Sequence, residues 1–366
     1  VTVFQHRPTL RWLVPLLTAV VLAAGGSAVG VLSATARDGL PHRSASQLLV
    51  DVQNARLEGL SGTIVQNADL GLPSLPGVGG AGSSDMSSLV SGSHTLRLWY
   101  AGPDRVRLAL LGSLGESDLV RNGTDLWLWS SKDKSAQHRT VPRSDGAAGD
   151  PGGAAAAMTP QQAADAALKA ITPSTKVSTD GTAVVAGRPA YELLLRPRDA
   201  GSLIGSVRIA IDGRTHVPTR VQVFAANAPD PAFEVGFTSF DPTTPPASVF
   251  TFNPPPGTDV TESGSSHAKD STGPRGQLGP ANGAEPRVVG TGWTSVAVAK
   301  VPAGSGAVTG SPTMRTLLQA LPKVSGSWGS GHLLRGTLFS ALLTDDGRLV
   351  VGAVAPDALY AALTVR

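Results

Sequence analysis

The sequence predicts an α+β fold built on one large antiparallel sheet. Three observations carry this. Segments with period-2 apolar patterning dominate the chain. They fall into two groups, each preceded by a helical segment, instead of alternating one for one with helices as a parallel α/β fold requires. Both groups are punctuated by turn signals suited to hairpins, among them Asn122-Gly123, Asp212-Gly213 and Pro229-Asp230-Pro231.

With 366 residues and 41% hydrophobic content, the chain has room for two domains and a sizeable core. Lys+Arg 30 against Asp+Glu 27 leaves +3, and the basic residues are scattered, so no nucleic-acid partner is expected. The absence of cysteine removes disulfides, Cys-based zinc sites, thiol nucleophiles and the lipidated Cys of a bacterial lipoprotein. Residues 1–36 read as an export segment. His6, Arg7 and Arg11 precede an uncharged span rich in Leu, Val and Ala, and Ala34-Thr35-Ala36 offers a cleavage site. The span is a signal peptide or an N-terminal membrane anchor. An anchor is the expectation adopted, with Arg7 and Arg11 inside and the bulk extracytoplasmic, or secreted if cleaved after Ala36.

Ser44 or Ser46 caps an amphipathic helix running to about Glu58, with Leu48, Leu49, Val52 and Ala55 as its apolar stripe. Residues 61–70 follow as a first strand. The Gly-, Ser- and Pro-rich stretch 71–93 reads as a flexible insertion, or as a lid over a hydrophobic mouth. In strand 95–100, Leu96, Leu98 and Tyr100 share a face; after the turn at 101–104, Val106, Leu108 and Leu110 share a face of strand 105–111. A type I′ turn at Asn122-Gly123 pairs Arg121 with Thr124 and Leu119 with Leu126. Leu119, Leu126 and Leu128 then share one face, and Val120, Trp127 and Trp129 the other. Both faces of this region are largely apolar, so something covers the second one: a helix, another sheet, or a ligand cavity formed by curling the sheet.

Residues 143–157 read as another insertion. Thr159, Pro160 and Gln162 open a helix that Pro173 ends. Strands resume at 182–186, 190–195, 206–211, 217–225 and 232–240, with 249–252 closing the set. The chain becomes polar and rich in Gly, Ser and Pro from 258 to 286. A smaller α+β unit comes last. It has a strand at 294–301, a helix opened by Ser311-Pro312, strands 337–344 and 348–354 joined by Asp345-Asp346-Gly347, and a short helix from Pro356. The domains are therefore 1–36 leader or anchor, 37–262 sheet domain, 263–286 disordered linker and 287–366 small C-terminal domain.

Four segments in this order resemble the LolA-like superfamily: the opening helix SASQLLVDVQNARLEGLSGTI, the strand pair LWYAGPDRVRLAL, the element NGTDLWLW, and the closing pattern IDGRTHVPTRVQVF, FEVGFTSF, FTFNPPPGTDV. That superfamily comprises LolA-type lipoprotein carriers, LppX-like lipid-binding lipoproteins and the N-terminal domain of RseB/MucB-type regulators. The resemblance spans roughly residues 44–262. It implies a large curved antiparallel sheet, an open half-barrel capped by helices, whose apolar concave face holds an acyl chain. The insertions, the anchor and the C-terminal unit depart from single-domain carriers. A second domain after the half-barrel is instead similar to RseB-type regulators, which bind an anti-sigma factor.

No catalytic constellation is present in the sequence. The histidines are dispersed without metal-ligand spacing, and no G-x-S-x-G elbow, P-loop or post-strand G-x-G-x-x-G occurs. A non-enzyme without metal or cofactor is expected. The expected function is extracytoplasmic binding of a lipid or lipoprotein acyl chain, as carrier or sensor. The alternative is an RseB-like regulatory protein whose partner is an anti-sigma factor or other membrane protein. The candidate lining is Leu96, Leu98, Tyr100, Val106, Leu108 and Leu110, with one face of Trp127 and Trp129.

Overall fold

The structure is a computed structural model describing residues 39–72, 83–84, 88–89, 91–113, 115–142, 173–263, 287–300 and 318–364. The leader or anchor, the insertion at 143–157, the helix opened by Thr159, the linker from 264 on and most of the helix opened by Ser311 lie outside the described residues. No helix among the described residues is long and apolar enough to cross a membrane.

Twelve strands form one open sheet. The first meander contains β1 (Leu60–Ala68), β2 (Gly92–Tyr100), β3 (Arg105–Gly112), β4 (Gly115–Asn122), β5 (Asp125–Ser130) and β6 (Ser135–Thr140). The second contains β7 (Thr175–Val185), β8 (Arg188–Pro197), β9 (Ile204–Asp212), β10 (Pro218–Ala225) and β11 (Pro231–Asp241). Antiparallel pairing of β1 with β11 joins them side by side. The edges, β7 and β12 (Asp259–Ser263), do not pair with each other, so the barrel is not closed.

The helix α1 (Ala45–Asn54) begins where Ser44 accepts a hydrogen bond from the Gln47 amide and the Gln47 side chain accepts one from the Ser44 amide. Such a cap stabilises a helix by about 1 kcal/mol. The helix ends at Asn54 and not near Glu58: Ala55 leaves the helical region with ψ 125°, and Arg56 Nη1 donates to the Gln53 and Ala55 carbonyls beyond it. Leu48, fully buried, and the half-buried Leu49 and Val52 pack on Tyr191, Leu193 and Ile211 of β8 and β9.

Several expectations shift in register or extent. In the β4–β5 hairpin, Asn122 pairs with Asp125, Arg121 with Leu126 and Leu119 with Leu128. The turn is Gly123-Thr124, with positive φ at Gly123 and its amide donating to the Asp104 carbonyl at 2.7 Å. The pairing is offset by two residues from the expected one, which leaves every side chain on its expected face. Asp180-Gly181 does not start a strand; it forms a bulge within β7, where Gly181 has φ 86°. Residues 249–252 are not a strand: Ala247–Phe250 is a 3-10 turn. The polar stretch from 258 begins instead with β12, which pairs parallel to β6.

The C-terminal unit is a six-stranded sheet of β13 (Arg287–Val289), β14 (Val296–Lys300), β15 (Lys323–Gly326), β16 (Gly329–Arg335), β17 (Ser340–Thr344) and β18 (Arg348–Gly352). Helix α2 (Pro356–Thr364) buries Leu359 and Ala362 against Val296, Leu333, Leu342 and Val350. The unit docks on the large sheet. Leu338, Phe339 and Trp293 pack with Phe233, Val223 and Val207, the Leu203 amide donates to the Ala353 carbonyl, and the Thr337 amide donates to the Leu70 carbonyl, both at 2.8 Å.

Candidate ligand-binding face

Register assigns each side chain of the large sheet to one of two faces. Leu96 lies opposite Leu110, Leu98 opposite Leu108, and Tyr100 opposite Val106. These residues share one face, as period-2 patterning requires. The rows extend across neighbouring strands. One runs Phe240, Gly62, Leu98, Leu108, Leu119 and Leu128; the row beside it runs Phe237, Ile64, Leu96, Leu110 and Ser117. In the second meander the same face carries Val235, Val221, Ile209 and Leu193.

The cover over this face is uneven. At one end Leu338 and Phe339 of the C-terminal unit seal it over Ala68, Phe233, Val223 and Val207, and α1 seals it over Tyr191 and Leu193. Leu96 and Leu110 are buried. Ile64, Leu98, Tyr100, Val106, Leu108, Leu119, Val221, Val235 and Phe237 are only half-buried, and Leu128 is 37% exposed. An aliphatic sheet face left half-covered along its middle rows can take up hydrocarbon, at about 0.8 kcal/mol per CH₂ removed from water.

Trp127 and Trp129 are not brought together with those residues. They lie on the opposite face with Trp99, Arg107, Ala109, Asp118 and Val120. The chain following β11 covers part of that face. Phe250 is fully buried, the Phe252 ring lies 5.4 Å from Trp127 and 6.1 Å from Trp129, and Arg107 Nη1 donates to the Val249 carbonyl. Arg107 also pairs with the buried Asp118 and sits 5.6 Å over the Trp99 ring. Asp118 helps hold the Glu116 carboxyl up to about 6, second to the burial of Glu116 itself. The tryptophans therefore pack, half-buried, in a polar-aromatic layer under Phe252. The cations Arg97, Arg105, Arg107 and Arg121 form no single row, because Arg121 lies on the aliphatic face, opposite Val106, paired with Asp104 at 2.7 Å.

One polar pair on the aliphatic face is absent from the sequence-based site. Gln66 and His94 lie side by side on β1 and β2, 1% and 2% exposed. A strand over 61–70 places Gln66 on the face of Ile64, His94 lies just before the strand expected at 95–100, and the burial of both depends on neighbouring strands.

No family model matches the chain, and no curated protein matches it. Among solved structures it is similar to MucB of Pseudomonas aeruginosa in its complex with MucA, at 17% identity and TM-score 0.43, covering 87% of this chain and 96% of that one. It is also similar to an uncharacterized conserved protein from Thermus thermophilus, at 12% identity and TM-score 0.34, covering 60% of this chain and 99% of that one. A LolA superfamily protein from Nitrosomonas europaea aligns at 11% identity and TM-score 0.21, covering 58% of this chain and 99% of that one.

Proposed function

We propose that the protein binds a lipid or the acyl chain of a lipoprotein on the aliphatic face of its large sheet, outside the cytoplasm and without chemistry. One observation carries the reading. The row Leu98, Leu108, Leu119 and Leu128 stays half-buried to exposed, while the same face is sealed at its flanks by α1 and by Leu338. A sheet face of this composition is normally covered. The lining is Leu98, Tyr100, Val106 and Leu108 at the open rows, with Leu96 and Leu110 behind them; Trp127 and Trp129 support the sheet from the other side. The test is native mass spectrometry of the purified full chain followed by lipid extraction. A discrete mass excess released as lipid is expected. A bare mass, unchanged after incubation with lipid vesicles, rejects the reading.

A regulatory variant is favoured by one further contact. Ile209, Val221 and Val235 of the aliphatic face pack against the cluster that Leu338 and Phe339 complete. A ligand on this face and the C-terminal unit thus touch the same side chains. In this variant residues 37–262 sense the ligand and residues 287–366 contact a membrane protein such as an anti-sigma factor, from a protein held at the membrane by residues 1–36. Capture of a membrane partner that depends on residues 287–366 and weakens on lipid loading supports it; lipid-independent capture does not.

A further inference from the structure

The aliphatic face contains a donor for which the described residues supply no acceptor. Gln66 of β1 is 1% exposed, and its amide nitrogen has no hydrogen-bond partner. Its cross-strand neighbours are Val235 on β11 and His94 on β2. Valine offers hydrocarbon. His94 is already engaged: Nε2 lies 3.0 Å from the Ser88 carbonyl and 3.2 Å from the Ser91 carbonyl, so it carries the proton, and Nδ1 faces the Ser88 hydroxyl. Along β1 the flanking residues on the same face are Ile64 and Ala68, again hydrocarbon. Buried donors are almost always paired, and one left unpaired in a low-dielectric surround is costly to keep.

Its position points to a use. Residues i and i+2 of a strand stand about 6.8 Å apart. Gln66 is therefore one row in from Ile64 and Leu96, and two rows in from Leu98, Leu108 and Leu119. It stands where the half-covered rows give way to the sealed cluster of Ala68 and Phe233. A chain lying across the open rows and reaching this depth meets Gln66, whose amide donor is unpaired, beside His94, whose ring is already engaged.

We infer that Gln66 donates its amide hydrogen to an oxygen of the ligand, which narrows the ligand class to acyl chains carrying a carbonyl, ester- or amide-linked, over ether-linked or plain hydrocarbon chains. The inference rests on the hydrophobic-ligand reading of this face.

The test compares two lipids that differ only in that carbonyl: phosphatidylglycerol with ester-linked hexadecanoyl chains, and its analogue with ether-linked hexadecyl chains. Full-length protein stripped of lipid is incubated with vesicles of each, and retention is read by native mass spectrometry. The wild type is expected to prefer the ester lipid about tenfold, equivalent to about 1.4 kcal/mol. Gln66→Leu is expected to bring the ratio close to one, to keep its retention of the ether lipid, and to raise the melting temperature of the lipid-free protein. Gln66→Met, closer in shape, serves as the second variant should the leucine fail to fold. A wild-type ratio of one, or a preference that survives both substitutions, overturns the role of Gln66 while leaving lipid binding standing. Retention of neither lipid by the wild type overturns the ligand reading and this inference together.

Discussion

Trp127 stacks on His138 across the β5–β6 pair, with ring centroids 4.3 Å apart and planes 21° from parallel. The imidazole is held at both nitrogens: Nδ1 is 2.7 Å from Glu262 Oε2 and Nε2 is 3.1 Å from Asp125 Oδ1. Burial alone lowers the His138 pKa, but the hydrogen bonds to Glu262 and Asp125 outweigh it and hold the value above the ordinary 6.5. Glu262 belongs to β12, so a protonated His138 ties the edge strand to the sheet.

The sign of the pH dependence follows. A raised histidine pKa gives a stabilisation that is complete below the unfolded value of about 6.5 and lost as pH rises through the folded value. Amide protection in β12, taken relative to the base-catalysed intrinsic exchange rate, is expected to fall across that rise, and the emission of Trp127 to increase as the quenching imidazolium disappears. His138→Gln is expected to flatten both profiles. Because Glu262 and Asp125 are exposed, the global melting temperature moves little. Identical profiles in the variant would remove His138 from the explanation.

Asp212 supplies an acid counterpart. It is 1% exposed, accepts from Arg188 Nε at 2.7 Å and Nη2 at 3.0 Å, and from the Thr215 amide and hydroxyl at 2.8 Å each. Burial pushes its pKa up, but Arg188 and Thr215 prevail and bring it to about 2. A depressed carboxyl stabilises above its unfolded value and loses that contribution as pH falls from about 4 toward 2. Asp212→Asn, which strands the Arg188 charge, is expected to cost about 3 kcal/mol at neutral pH in urea unfolding and to blunt the acid limb.

Leu108 and Leu110 share a face of β3 but not an environment: Leu110 is fully buried, Leu108 half-buried. Leu110→Ala is expected to cost about 2–5 kcal/mol, as for sealed core leucines, and Leu108→Ala less than half of that. Leu108→Glu should abolish lipid retention while the protein stays folded by circular dichroism. Global unfolding by Leu108→Glu would mean that this row is closed by protein.

The opposite face gives the converse. Phe252 covers Trp127 and Trp129 away from the aliphatic rows. Phe252 is half-buried, so Phe252→Ala is expected to destabilise by about 1–2 kcal/mol, less than a sealed-core phenylalanine, and to shift tryptophan emission to the red, with lipid retention unchanged. Loss of lipid at unchanged stability would place the ligand on the tryptophan side.

Much of this was written in local pattern. A two-residue slip in the β4–β5 register left Leu119 and Leu128 on one face and Trp127 and Trp129 on the other, because side-chain direction has period 2. A serine cap at 44 or 46, found at Ser44, and the hairpin around Asp345-Asp346-Gly347 were legible for the same local reasons; the partner Gln47 was not. Nor was the cover over each face. Phe252 reaches Trp127 and the Val249 carbonyl reaches Arg107 from over a hundred positions away, and Leu338 reaches Phe233 from the other unit. Trp127 and Trp129 lie on the face opposite Leu98, Leu108 and Leu119, a placement that composition alone does not give. Strands β12, β15 and β16 were missed because polar and glycine-rich segments carry no alternation; pairing partners, not composition, make them strands.

The β1–β11 pairing sets the order in which the molecule can assemble. Apart from the long β1–β2 connection, the strands of each meander are joined by short links, whereas Thr63 meets the Ser239 hydroxyl across 176 positions of chain. Long closures come late, since the entropy of bringing distant segments together is lost before their contacts form. Ile64 and Phe237 face each other across that seam, so the continuous aliphatic surface exists only once it shuts. During synthesis each half presents an incomplete, sticky sheet, and the chain becomes competent to hold a ligand at the same step at which those halves stop exposing their edges to each other and to neighbouring chains.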